Sequence, residues 1–341
     1  EAISLLENVV DDLEKNDCKY WLDGGTLLGA VRDRKLIPWD HDLDIGIKYE
    51  NDDILENLII QLRKKNLDAW ISSYNINFQV KPKTVLILMA GNIPLVGFHD
   101  LLSVLILGYR AIIKPSSSDN ILIPFLCKKL MEITPDLMKL ISFTDDIKKK
   151  QFDAVIATGS DCSVKYFEYY FKNTKKIIRK NRTSVAILDG TESKEDLEGL
   201  SKDVFAYFGL GCRNVSKLFL PKGYDVNKLF KLFYSYKNII KHKKYANNYF
   251  YNKSIFLMEN HKIIDNRFLL MKEDKSLQSP LAMLYYEYYD DKTRVDNFIK
   301  ENQEKIQCVV SRLDIPFGNS QSPKLWHYAD GVDIIKFLLE I

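Results

Sequence analysis

Thr84-Val85-Leu86-Ile87-Leu88-Met89 runs into Ala90-Gly91-Asn92-Ile93-Pro94-Leu95, and then into the apolar stretch Val96 to Tyr109. An unbroken β-branched and aliphatic run of this length reads as a parallel strand buried on both faces. Gly91, Asn92 and Pro94 break it, and residues 96–109 read as a core helix. Further along, Ala111-Ile112-Ile113-Lys114 reads as a second strand, ending at Pro115-Ser116-Ser117-Ser118. Ala154 to Ala157 reads as a third, followed by Thr158-Gly159-Ser160 and a helix through Tyr170. Strands alternating with helices, with small residues at the strand ends, describe an α/β fold with a doubly wound parallel sheet of the dinucleotide-binding kind. The usual GxGxxG fingerprint is missing.

Bulk composition narrows the function classes. Of 341 residues, 46% are hydrophobic and 28% charged, the balance of an ordinary globular protein. A net charge of +3 is too small to point to nucleic acid, so no nucleic-acid partner is expected. The charge is uneven, because residues 1–64 carry 15 acidic against 8 basic side chains. That step marks two segments of different character. The most apolar stretch, 85–109, is interrupted by Asn92, Pro94, His99 and Asp100, so no transmembrane segment is expected there. The five cysteines (Cys18, Cys127, Cys162, Cys212 and Cys308) are scattered without a CxxC, which argues against zinc or a disulfide framework. A reducing, cytoplasmic setting is the expectation.

Reactive chemistry concentrates at Gly209-Leu210-Gly211-Cys212-Arg213-Asn214, directly after an amphipathic helical run over 197–208. The thiolate is the nucleophilic form of cysteine and is favoured by nearby positive charge, here Arg213. Glycines let a backbone N–H approach a reacting carbonyl. Free cysteine is also among the most buried residue types, so a structural thiol in a tight turn is the alternative. His99 reads as a satisfied core histidine or as a base near Cys212. His242, in Lys241-His242-Lys243-Lys244, reads as part of a solvated basic face. The aromatic runs 167–171 and 285–289 read as core packing.

Near the amino terminus, Tyr20-Trp21-Leu22 reads as a short strand, and Asp40, Asp42 and Asp44 alternate along an extended segment. Residues two apart on a strand share a face, so three carboxylates project together and call for a hard cation such as Mg²⁺. Leu22-Asp23-Gly24-Gly25-Thr26-Leu27-Leu28-Gly29-Ala30-Val31-Arg32 and Ile37-Pro38-Trp39-Asp40-His41-Asp42-Leu43-Asp44-Ile45 resemble the LicD family of phosphocholine and phosphoribitol transferases. The resemblance implies a nucleotidyltransferase-like segment with metal-binding carboxylates at Asp42 and Asp44, and Asp40 beside them. It fades between residues 50 and 64, so a truncated segment is expected.

Met89 to Asp100, Ile156-Ala157-Thr158-Gly159-Ser160, Ile178 to Ala186, Phe208 to Lys217, Tyr245 to Tyr249, Ile315 to Gly318 and Tyr328 to Asp333 follow one another in order. Through them, residues from about 65 to 341 resemble the LuxC-like acyl-CoA reductases of the aldehyde dehydrogenase superfamily. The resemblance implies that Cys212 attacks an acyl-CoA or acyl-carrier thioester, and that the Asn92 amide and the Cys212 N–H hold the oxyanion. It also implies a cofactor site from Lys114, Ser116, Ser117, Gly159 and Ser160. Hydrolytic relatives carry a water-activating glutamate in the segment matching 178–186. Here Arg179-Lys180-Asn181-Arg182 replaces it, which suits a reductase whose thioacyl intermediate must survive. Ser117 stands where NAD-specific relatives have a glutamate for the ribose 2′-hydroxyl, so NADPH is expected and NADH is compatible. No match to the superfamily's nicotinamide-ribose glutamate occurs near Ser276 to Pro280. Superfamily relatives often oligomerise, and a homo-oligomer is carried over as an expectation.

The expected organisation is a LicD-like segment over 1–64 and a reductase over 65–341, with a cofactor half at about 80–190 and a catalytic half at about 191–320. The leading reading is NAD(P)H-dependent reduction of a fatty acyl-CoA to the aldehyde. The alternatives are a Mg-dependent LicD-type transferase and an inactive nucleotide-binding remnant.

Overall fold

The computed structural model describes residues 19–22, 45–48, 61–76, 81–147 and 151–341. Residues 1–68 and 69–341 form two compact units. In the first, strand β1 (Lys19–Leu22) pairs antiparallel with β2 (Ile45–Lys48), placing Leu22 opposite Ile45. Asp40, Asp42 and Asp44 lie outside the described residues.

The second unit holds two sheets. The first comprises β3 (Thr84–Leu88), β4 (Arg110–Lys114), β5 (Ile141–Phe143), β6 (Ala154–Thr158) and β7 (Lys175–Arg179). Its order is β5-β4-β3-β6-β7, parallel throughout. Val85, Leu86, Ile87, Val155 and Ala157 are completely buried. Burial on both faces is why these strands read as continuous apolar runs. The strand order reverses direction at β3, which opens a crevice at the carboxyl ends of β3 and β6, the location where doubly wound sheets bind ligands.

The second sheet comprises β8 (Thr183–Ile187), β9 (Val215–Pro221), β10 (Ile264–Asp265), β11 (Leu270–Glu273), β12 (Met283–Tyr289) and β13 (Ile306–Val310). Its order is β10-β11-β12-β9-β8-β13, with only β10 antiparallel to its neighbour. Only residues 180–182 separate β7 from β8, so the chain passes from one sheet to the other at that point. A core of Leu188, Leu200, Leu218, Leu229, Phe233, Met271 and Leu284 fills one side of this sheet.

The helix expected over 96–109 spans Phe98–Ile106. Leu95 is in the left-handed region (φ 60°), so the chain before Gly97 is not helical, and Gly108 (φ 69°) turns it out at the other end. Asp100 in its first turn is buried and takes both Arg179 guanidinium nitrogens, at 2.6 and 2.8 Å. The planar fork of arginine matches a carboxylate in this bidentate way, and the pair locks the helix to the end of β7. His99 is packed between Trp70 and Tyr328, at ring-centroid distances of 5.2 and 5.5 Å, and its Nε2 meets the Leu325 carbonyl at 2.8 Å. Burial holds its pKa below the ordinary histidine value. It is therefore a core histidine and not a free base. Among the described residues no helix is long and apolar enough to cross a membrane.

Candidate active site

The helix preceding the central cysteine runs Lys194–Phe205, three residues short of the expected 208. A capping box starts it: Ser193 accepts from the Asp196 N–H, and Asp196 accepts from the Ser193 N–H. Tyr207, Phe208 and Gly209 then adopt successive left-handed conformations (φ 51°, 59° and 76°), which end the helix. Each non-glycine residue so placed costs roughly 1–2 kcal/mol, so the surroundings must hold the turn. Phe208 stacks on His242 at 4.0 Å. His242 is thus not merely on a solvated basic face: its Nδ1 also accepts from the Tyr245 N–H, capping the helix Lys243–Met258.

Buried Asn214 braces the same turn. Its amide nitrogen donates to the carbonyls of Ala206 and Asp203, at 2.8 and 3.1 Å, with that of Val204 at 3.4 Å, and its Oδ1 accepts from the Gly211 N–H at 2.8 Å. A Cβ at Gly211 would sit 2.8 Å from that oxygen, so only glycine fits. Ser184, fully buried on β8, donates to the Cys212 carbonyl at 2.9 Å and meets the Cys308 thiol of β13 at 3.0 Å. Cys212 is consequently fixed from below while its side chain stays exposed.

Although Cys212 reaches solvent, the protein around it strips hydration from the thiolate. Burial pushes its pKa above the ordinary thiol value; Arg213 pulls it back, while Asp330 and Cys308 push it further up. The resting group is thus the neutral thiol. The sequence-based expectation of an electropositive setting holds for Arg213 and omits the larger contribution of burial.

Asn92 follows β3 and donates its side-chain amide to the Leu210 carbonyl at 2.8 Å, so it lies over the cysteine turn. One of its two amide hydrogens remains for a further acceptor. Lys114 ends β4, with its Nζ 3.5 Å from the Asp145 carbonyl. Ser116 accepts from the Ser118 N–H, and a Cβ on Gly91 would approach Ser116 Oγ to 2.6 Å, so the two strand-end loops touch. Ser117 is exposed in that turn. Gly159 and Ser160 end β6. Ser160 caps the helix Asp161–Tyr170, and a Cβ at Gly159 would come within 2.9 Å of Ser163. All five residues expected to bind cofactor therefore lie at the carboxyl ends of β4 and β6, either side of β3. A helix start at Ser160 and a strand-end lysine are the kind of groups that suit a dinucleotide phosphate and ribose.

Several contributors escaped sequence reading. Buried Asp203 accepts from the N–H groups of Gly318 and Ser320, at 2.7 and 3.0 Å, tying the carboxyl-terminal segment to the helix before Cys212. Arg182, between the two sheets, pairs with Asp330 at 3.2 Å. The one available signal was a buried polar residue in an otherwise apolar stretch, such as Ser184 within Thr183–Ile187.

Two parallel α/β sheets joined by a three-residue crossing, with a cysteine turn at the seam, define the aldehyde dehydrogenase fold. The NAD⁺ complex of an aldehyde dehydrogenase from Bacillus cereus superposes with a TM-score of 0.53 at 13% identity, over 67% of this chain and 56% of that one. A Mycobacterium tuberculosis aldehyde dehydrogenase complexed with NAD⁺ gives 0.52 at 14% identity, over 70% and 59%. The family model "Acyl-CoA reductase (LuxC)" matches residues 50–230, and the chain belongs to that family. A second model, "LicD/FKTN/FKRP, nucleotidyltransferase domain", matches residues 17–81. An uncharacterized protein of Rickettsia prowazekii is 39% identical over 89 residues, 25% of this chain and 32% of that protein. The mouse Ribitol 5-phosphate transferase FKRP is 54% identical over 43 residues, 13% of this chain and 9% of that protein. The chain thus spans about a third or less of these curated relatives and somewhat over half of the dehydrogenases.

Proposed function

We propose that residues 65–341 form an aldehyde-forming reductase of acyl thioesters that uses a nicotinamide cofactor. The observation that carries this reading is an exposed Cys212 on a braced turn whose Leu210 carbonyl accepts from the Asn92 amide. A neutral thiol there loses its proton as it attacks the thioester carbonyl of an acyl-CoA, with Arg213 as the counter-charge. The coenzyme A thiol leaves, and a thioacyl group stays on Cys212. The free Asn92 N–H and the Cys212 N–H stabilise the oxyanion, where one such donor typically contributes ~2.7–4 kcal/mol.

Lys114, Ser116, Ser117, Gly159 and Ser160 are the residues for the cofactor, which when bound supplies hydride to the thioacyl carbon. Ser117 offers no carboxylate against a 2′-phosphate, which favours NADPH and leaves NADH usable. No acid occupies residues 179–182 to activate water, so the thioacyl group is spared hydrolysis. Loss of NADPH absorbance that requires a long-chain acyl-CoA and disappears in Cys212→Ala is the expected result. A folded wild-type chain with no turnover on either cofactor contradicts the proposal.

The LicD match to residues 17–81 favours a second reading for the amino-terminal segment, taken as 1–64, as a Mg²⁺-dependent transferase using Asp40, Asp42 and Asp44. Magnesium-dependent binding of a cytidine nucleotide, lost on replacing Asp42 and Asp44 with Asn, is its expected mark. Binding that ignores magnesium overturns it.

A further inference from the structure

The helix Lys243–Met258 is anchored by one face. Tyr245, Tyr249 and Asn252 are buried there, and the two tyrosines pack into a core with Leu270, Met283 and Tyr285. A surface helix ordinarily turns polar side chains to its other face. Here that face carries Phe250, Tyr251, Leu257 and Met258, exposed by 59, 66, 51 and 79%. Steps of three and four residues link them through Asn247 and Ser254, both also exposed, so the four form one stripe. None of them is needed to hold the helix to its sheet, and nothing among the described residues covers them.

The same segment is strongly basic. Residues 234–262 hold six lysines and a single acid, Glu259. Lys253 is tied to Asp265 at 2.7 Å. Lys241, Lys243, Lys244 and Lys262 are exposed and make no ion pair among the described residues. Three of these stand before the stripe and the fourth just beyond it, so free cations bracket an apolar strip. The basic run 241–244 thereby gains a neighbour that a merely solvated face does not need.

We propose that this helix docks on the surface of an anionic lipid bilayer. Phe250, Tyr251, Leu257 and Met258 enter the boundary between headgroups and acyl chains, and the free lysines meet the phosphates. Aromatic and aliphatic side chains on one face, flanked by lysine, are the composition of helices that lie in a membrane interface. At 16 residues the helix is too short to span the hydrocarbon core, which takes about 20 apolar residues, so it lies along the surface. A second copy of the chain is a poorer occupant, because a two-fold contact sets the same lysines against one another. The proposal is independent of the reductase reading.

The full chain is sedimented at physiological salt with vesicles of phosphatidylcholine alone, or with phosphatidylglycerol replacing about one lipid in three. Binding is expected on the anionic vesicles and much weaker binding on the neutral ones. Lys243→Gln with Lys244→Gln is expected to weaken it ~30-fold, since each lysine near such a surface is worth about fivefold. Phe250→Ser with Leu257→Ser is expected to abolish it while urea unfolding stays at the wild-type midpoint, as both side chains face solvent. No binding to anionic vesicles, equal binding to neutral ones, or binding that survives the Phe250 and Leu257 changes overturns the proposal. A dimer that forms without lipid and is dissolved by those two changes assigns the stripe to a second copy, and overturns it as well.

Discussion

The two sheets of residues 69–341 differ in how far along the chain their parts are drawn from. Strands β3 to β7 come from one continuous stretch, and after each of the first four the chain returns to the same sheet. The six-stranded sheet instead flanks β8 with β9 on one side and β13, from near the carboxyl terminus, on the other. Its edge is closed by polar bonds between distant residues: Asp203 to Gly318 and Ser320, Arg182 to Asp330, Ser184 to Cys308. Both sheets have apolar cores, but the cysteine turn and its surroundings in the second also depend on long-range polar contacts.

The largest effect is expected within the first region, where a buried ion pair locks the helix Phe98–Ile106 to the end of β7. Arg179→Met leaves Asp100 buried without its partner, which costs about 3–5 kcal/mol, whereas the double change Asp100→Leu with Arg179→Met recovers most of it. Urea unfolding of the three proteins checks this; a single variant as stable as wild type breaks the idea that the pair locks the helix Phe98–Ile106 to the end of β7. Next, Asn214→Ala removes the acceptor of the Gly211 N–H and the two donors that reach the carbonyls at the helix end, costing roughly 2–4 kcal/mol. Alkylation of Cys212 should change in the same variant, while unfolding alone changing would confine Asn214 to stability.

An effect of about 2 kcal/mol is expected at Asp274 from its shifted ionisation. Burial opposes its ionisation, but the Lys272 ammonium at 2.6 Å and the Ser276 N–H outweigh it and lower the pKa to about 2. The carboxyl is thus ionised more readily in the folded chain than in the unfolded one. Its stabilisation is complete above the unfolded carboxylate value of about 4 and is lost as pH falls towards 2. Asp274→Asn should flatten the acid limb of the stability profile over that window; an unchanged limb sinks the assignment. The smallest effect belongs to the locally built sheet. The Ser160 cap is long, at 3.5 Å, so Ser160→Ala should cost about 0.5 kcal/mol, the low end for a helix cap. A loss several times larger, read by thermal melting, means that Ser160 bears more than the cap.

Legibility in the sequence follows the same division. The runs 84–89, 111–114 and 154–157 announced β3, β4 and β6 because burial on both faces demands continuous apolar residues. Gly211 and Cys212 stood out because glycine beside cysteine is locally unusual. Where the helix before them stops was not legible, since Tyr207 and Phe208 are held left-handed by tertiary contacts that override ordinary preference. Asp203 carries no local mark, as its partners Gly318 and Ser320 are far away in sequence, and Ser184 shows only as a polar residue in an apolar run. His242 misled for the same reason: its run of lysines suggests solvent, while Phe208 lies over its ring.

The central claim is that Cys212 takes an acyl group from a coenzyme A thioester. Intact mass measurement after incubation with a long-chain acyl-CoA, without nicotinamide, tests it most directly. One added acyl group, mapping to the peptide that contains Cys212 and absent from Cys212→Ala, is the predicted result. No adduct on a folded chain, or an adduct that persists in Cys212→Ala, contradicts it.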